Sequence, residues 1–116
     1  MSTFDAEIFA QTVLADARDV VDKNQDDSAE VRVELAQLRQ DIEATLAALE
    51  VERDSRRARA LRDDLEKFLP ARKAAILSAA QSRFSSEVQA ALENALSLAT
   101  RAAVIVAKAF VTSGGL

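Results

Sequence analysis

The chain has 116 residues, of which 49% are hydrophobic and 29% are charged, and it contains no His, Cys, Trp or Tyr. That length fits one domain, and 24 alanines against two glycines and one proline favour helix over strand. We therefore expect a single all-α domain. The missing residue types exclude Ser-His and Cys-His nucleophile pairs, disulfides and the usual zinc, haem and iron-sulfur ligands, so we expect no enzymatic activity, cofactor or metal.

The first helix is predicted over residues 4–23, where apolar and acidic side chains fall on opposite faces. Phe4 and Ile8 lie on the polar side, so we expect them either to fold over the helix start or to contact something outside the domain. A loop rich in Asn, Asp and Ser follows at residues 24–28, and Asp27 or Ser28 is expected to cap the next helix.

The second helix is predicted over residues 29–69. In its first half, apolar residues recur at steps of three and four for some three heptads, a coiled-coil-like seam with Ile42 at its centre. The apolar residues of the second half point in a different direction. The polar span EVERDSRRAR, residues 50–59, separates the halves and is expected to be a kink, a short break or an exposed stretch.

Pro70 predicts the second boundary, at residues 69–70, because proline disfavours helix at the preceding residue and suits the first turn of a new helix. The third helix is predicted over residues 71–111, with apolar residues around about half of its circumference, and a flexible, glycine-containing tail is expected at residues 112–116.

Helix length bears on the shape of the molecule, because a straight helix of about 40 residues spans roughly 60 Å. A compact domain of this chain length is only about 35 Å across. We therefore expect a three-helix arrangement, in which the N-terminal helix covers half of a long antiparallel hairpin, straight or kinked, and the remaining apolar surface drives oligomerisation. The alternative is a compact bundle of four or five helices.

Charge is unevenly distributed, although the net charge is only −4. Residues 1–28 carry seven acidic and two basic side chains, whereas residues 70–116 carry two acidic and five basic ones. Opposite fields of this kind favour packing of the first segment beside the last. Neither a signal-peptide pattern nor a run of about 18 uncharged apolar residues is evident, so we expect a cytoplasmic protein.

Two polar patterns could recognise a partner. The cluster at residues 53–62 could contact phosphates, although neighbouring acids favour exchangeable surface ion pairs; its arginines are Arg53, Arg56, Arg57, Arg59 and Arg62. A line with seven-residue spacing on the third helix could bind an acidic partner helix or could be an ordinary solvated face; it consists of Glu87, Asn94, Arg101 and Lys108.

In composition the chain is similar to small helical proteins such as phasins and phage or bacterial accessory proteins, a similarity that covers no motif. The sequence favours a structural, adaptor or inhibitory protein that acts by protein-protein contact as a homo-oligomer, without a small-molecule substrate. One alternative is an amphipathic protein on a lipid or hydrophobic granule surface, and another is nucleic-acid binding through Arg53 to Arg62. The candidate partner-interface residues are Phe4, Ile8, Leu35, Leu38, Ile42, Leu49, Leu92, Leu96, Val106 and Phe110.

Overall fold

Apolar residues at helical spacing organise the whole chain, and the fold is all-α as expected. The computed structural model describes residues 4–24 and 29–112, and every regular element in those ranges is a helix. The five helices are α1 (Ala6–Val13), α2 (Ala15–Asp22), α3 (Ala29–Val51), α4 (Ser55–Gln81) and α5 (Ser86–Thr112). The predicted caps Asp27 and Ser28, most of the predicted loop, and residues 113–116 of the predicted tail lie outside the described ranges.

The predicted first helix is present but bent, because α1 and α2 meet at Leu14. Leu14 is buried and has φ −98° and ψ 3°, outside the helical minimum. The start of α1 is capped by Asp5, whose Oδ1 accepts a hydrogen bond from the Ile8 N–H at 3.1 Å. The bend divides the predicted helix into two short helices of eight residues each.

The polar span after α3 is a true break in the chain. Asp54 adopts an extended backbone conformation and caps α4, accepting hydrogen bonds from the backbone N–H groups of Arg56 at 2.8 Å and Arg57 at 3.3 Å. Of the three structures expected for residues 50–59, the short break is therefore confirmed. It lets the apolar face change direction between α3 and α4.

The boundary predicted at residues 69–70 is wrong, because α4 continues through Pro70. Leu65, Leu69 and Ile76 are fully buried on one face of α4, so the helical register passes the proline without a shift. Pro70 itself is exposed and cannot donate an N–H to the Glu66 carbonyl, a defect that costs about 3 kcal/mol in a helix interior. The burial of Leu65 and Leu69 before Pro70 and of Ile76 after it stabilises the helix by more than that cost.

The chain reverses instead at residues 82–85, inside the third helix predicted over residues 71–111. Phe84 is buried under the turn, and Ser85 Oγ accepts a hydrogen bond from the Val88 N–H at 3.3 Å. The Gln89 side-chain amide donates to the carbonyls of Gln81 at 3.2 Å and Phe84 at 2.8 Å. These contacts satisfy backbone groups at the end of α4 and the start of α5.

The helices form an antiparallel bundle in which α3, α4 and α5 pack in succession and α1 and α2 pack on α3 and α5. Arg83, just after α4, pairs with Glu30 at the start of α3, as antiparallel neighbours require. The bundle measures 46 × 25 × 19 Å. A hairpin of two helices each roughly 60 Å long is therefore wrong, and the compact alternative is confirmed. The expected proximity of the first and last segments is also confirmed.

Arg72 on α4 ties α3 to α4 across their polar edge. Its Nε donates to Asp41 Oδ2 at 2.8 Å, and one of its terminal nitrogens lies 3.7 Å from Glu34 Oε2. Gln37 also donates to Asp41, at 3.3 Å. These side chains are half-buried, and an unpaired carboxylate at a half-buried helix interface raises the free energy of the folded state. The guanidinium of Arg72 offsets this cost for two carboxylates at once.

Ile42 provides a direct test of the α3 seam. Its side chain is 0% exposed, so Ile42→Asp should lower the free energy of unfolding by an amount on the order of 4 kcal/mol, through burial of an unpaired charge. Thermal or urea unfolding followed by circular dichroism measures the change. Val33→Asp, at an exposed position of the same helix, should leave stability nearly unchanged. Equal stability of the Ile42 variant and the parent would show that the seam is exposed in the isolated chain and available to a partner.

Pro70→Ala tests whether α4 is continuous. The substitution restores an N–H to a helix interior, so we expect it to raise the free energy of unfolding by about 1–3 kcal/mol. Ala74→Pro, which moves the defect one turn along the same helix at an exposed position, should be destabilising in the same urea titration. A Pro70→Ala variant less stable than the parent would contradict a continuous helix.

Candidate functional site

The structure places six of the ten predicted interface residues in the core of this chain. They are Leu35, Leu38, Ile42, Leu49, Leu92 and Leu96. Each is buried against neighbouring helices of the same bundle, so their side chains stabilise the fold and are not presented on its surface.

Of the remaining four, three pack partly within the chain. Phe4 contacts Phe9 at a ring-centroid distance of 5.7 Å and Phe110 at 5.1 Å, the latter edge to face. Phe4 therefore folds over the start of α1 and joins it to the end of α5. Val106 also packs partly against the core. Ile8 alone of the ten is largely exposed, at 61%.

The inner face of α5 is built largely from alanine. Ala95, Ala99, Ala103 and Ala107 are buried at every fourth position. Methyl side chains allow the backbone of α5 to approach its neighbours closely. Meanwhile Leu98 and Ile105, on the outer face, are 61% and 60% exposed. This helix thus buries Leu92, Leu96 and four alanines inside the bundle, while two large apolar residues lie on its outer face.

These two residues belong to a continuous exposed row on α5, which we name the basic stripe. Its members recur at alternating steps of three and four and are Ala91, Asn94, Leu98, Arg101, Ile105 and Lys108. That spacing keeps them on one side of a helix, as at a helix-helix contact. The stripe contains Asn94, Arg101 and Lys108 of the predicted polar line and adds the apolar residues that lie between them. Glu87, the first member of that line, is also exposed and lies one turn before Ala91.

A groove of about 530 Å³ separates α4 from α5 and borders the basic stripe. Its floor includes Leu69 and Pro70, and Lys73 Nζ donates to Ser97 Oγ across it at 2.7 Å. Lys108 lies 3.8 Å from Glu66 on the opposite wall. Three cations and one carboxylate line the groove, so this edge of α5 is positively charged.

The outer face of α1 and α2 carries the opposite charge, and we name it the acidic stripe. Its members are exposed, follow one another at steps of three or four, and are Asp5, Ile8, Thr12, Asp16 and Asp19. A single large apolar residue, Ile8, lies among three carboxylates. This stripe runs along helices that pack directly on α5.

A second groove, of about 430 Å³, lies between α1, α2 and α3. Its arginines are engaged by carboxylates, since Arg32 lies 2.8 Å and Arg18 lies 3.9 Å from Asp22, and Arg39 lies 3.2 Å from Glu43. The charges of this groove are therefore compensated within the chain, which does not favour binding of a free anion.

The arginine cluster of residues 53–62 lies at the break between α3 and α4. Arg56, Arg57 and Arg59 are exposed in the first turns of α4, whereas Arg62 is paired with Asp63 at 3.0 Å. The five arginines are thus spread around a helix end and do not form one continuous face. In the described part of the chain, no group of three acidic side chains is arranged to hold a metal ion.

Within the same described residues, one helix, α5, is long and apolar enough to cross a membrane by length and composition. Its most apolar stretch has a mean hydropathy of 1.5, and 28% of that stretch is buried in the bundle. Comparison with family models, curated proteins and solved structures finds no significant match to the chain.

Proposed function

We propose that the protein is a non-enzymatic interaction module that binds a protein partner through the basic stripe of α5. The observation that carries this proposal is the exposure of Leu98 and Ile105 on a helix whose opposite face is fully packed. The bundle closes without them, so their apolar area is available for a partner.

The energetic argument rests on apolar burial. Covering a leucine or isoleucine side chain completely contributes about 1.5–3 kcal/mol. Both residues lie seven positions apart with Arg101 between them, so one helix of a partner can cover both and place an acidic side chain near the guanidinium. Binding of this kind suits a structural, adaptor or inhibitory role in the cytoplasm.

A lipid or hydrophobic granule surface is a second candidate ligand, favoured by the hydropathy of α5. Leu98 and Ile105 would enter the apolar phase, while Arg101 and Lys108 would lie near anionic head groups. The absence of tryptophan from the chain weakens this alternative, because tryptophan is a favoured interfacial anchor.

Site-specific photo-cross-linking tests the protein-binding proposal. A photoreactive residue at position 98 or 105, introduced in the source cell, should yield protein adducts, whereas the same residue at position 33 should not. Val33 is 68% exposed on α3 and is therefore a matched control for exposure. Ile105→Asp should abolish the adducts formed from position 98. Equal cross-linking from positions 33 and 98 would contradict the proposal.

Vesicle flotation separates the two candidates. If a protein is the ligand, the purified chain should remain at the bottom of the gradient with anionic or neutral vesicles. Surface binding would instead give co-flotation that Ile105→Asp abolishes and Val33→Asp leaves intact. Ile105 is the appropriate position because the adjacent Val106 packs partly against the core, so a charge there would disturb the fold itself.

A further inference from the structure

Resting on the proposed function, we infer that the partner of the basic stripe is the acidic stripe of a second copy of this chain. In the resulting two-fold dimer, α1 and α2 of each copy pack on α5 of the other. The inference depends on the chemistry and placement of two exposed rows that the monomer leaves uncovered.

The two stripes are chemically complementary. The basic stripe offers Leu98 and Ile105 beside two cations, and the acidic stripe offers Ile8 beside three carboxylates. Apolar side chains of one stripe can therefore contact those of the other, and the charges beside them are of opposite sign. A partner of this composition meets the requirement for apolar burial and for charge pairing in one helix-helix contact.

Their dimensions also match. The acidic stripe covers 14 residue steps from Asp5 to Asp19, and the basic stripe covers 17 from Ala91 to Lys108. At about 1.5 Å per residue, the basic stripe is roughly 25 Å long, and the acidic stripe is at most about 21 Å long because it crosses the bend at Leu14. The two rows are therefore of comparable length.

The position of the stripes favours a closed pair. A two-fold dimer makes the contact between an acidic and a basic stripe twice, and α1 and α2 are neighbours of α5 in the same bundle. A dimer formed by two parallel α5 helices would instead bring Arg101 of one copy against Arg101 of the other, which electrostatics opposes.

Charge reversal tests this pairing. One variant combines Arg101→Glu with Lys108→Glu, and the other combines Asp16→Lys with Asp19→Lys. Sedimentation velocity at low ionic strength should show a monomer-dimer equilibrium for the parent chain. Each reversal should raise the dimer dissociation constant by about tenfold or more, because like charges then face each other twice.

Complementation makes the test specific. An equimolar mixture of the two reversal variants should form dimers that contain one copy of each, and a chain carrying both reversals should regain the parent's dimerisation. Because a misfolded chain cannot restore the contact, this recovery also verifies folding. Arg59→Glu with Lys67→Glu changes the net charge equally at exposed positions of α4 and should leave the dimer intact.

A parent chain that stays monomeric throughout the micromolar range would overturn the inference, as would a dimer insensitive to both reversals. The proposed function is judged separately by the cross-links. Adducts from position 98 to a different protein, together with a strictly monomeric chain, would sustain the proposed function and refute self-recognition. Adducts between two copies of this chain would support both.

Discussion

The close approach of α5 to the rest of the bundle is the constraint on which the other features depend. Beyond Leu92 and Leu96, the buried residues of α5 are the alanines Ala95, Ala99, Ala103 and Ala107, so the large apolar groups of the core come mainly from α3 and α4. Leu98 and Ile105 lie on the opposite side of α5, where they are largely exposed. The orientation of α5 that buries its alanines in the core therefore also exposes Leu98 and Ile105.

Residue pattern predicts a large part of this fold, and its failures have identifiable causes. The α3 seam around Ile42 could be predicted because one narrow face repeats at three- and four-residue steps. Pro70 predicts a false boundary because proline's local preference does not include the burial of Leu69 and Ile76, which holds α4 together. The turn before α5 was missed because its signals are serines around a buried Phe84, and single serines also occur within helices.

The candidate site was less predictable than the fold. Apolar residues cover about half of α5, so periodicity alone cannot distinguish the side that packs inward from the side that does not. Helical periodicity predicts an interface at Leu92 and Leu96, which are core residues, and does not single out Ile105, which is exposed. The positions of the neighbouring helices decide which side of α5 is buried, and the side that faces the bundle is the one that carries the alanine ridge.

The acidic first segment and the basic last segment of the sequence contact each other through apolar side chains in the folded chain, and their charged groups face outward. The first and last helices are neighbours, as their opposite charge predicts, but Phe4 and Phe110 make an apolar contact between them. The carboxylates of Asp16 and Asp19 point to the outer face, and so does the guanidinium of Arg101. Attraction between these groups is weak while each is fully hydrated, because water screens exposed charges. Removing water from both stripes at once, as docking of a second copy would, strengthens that attraction.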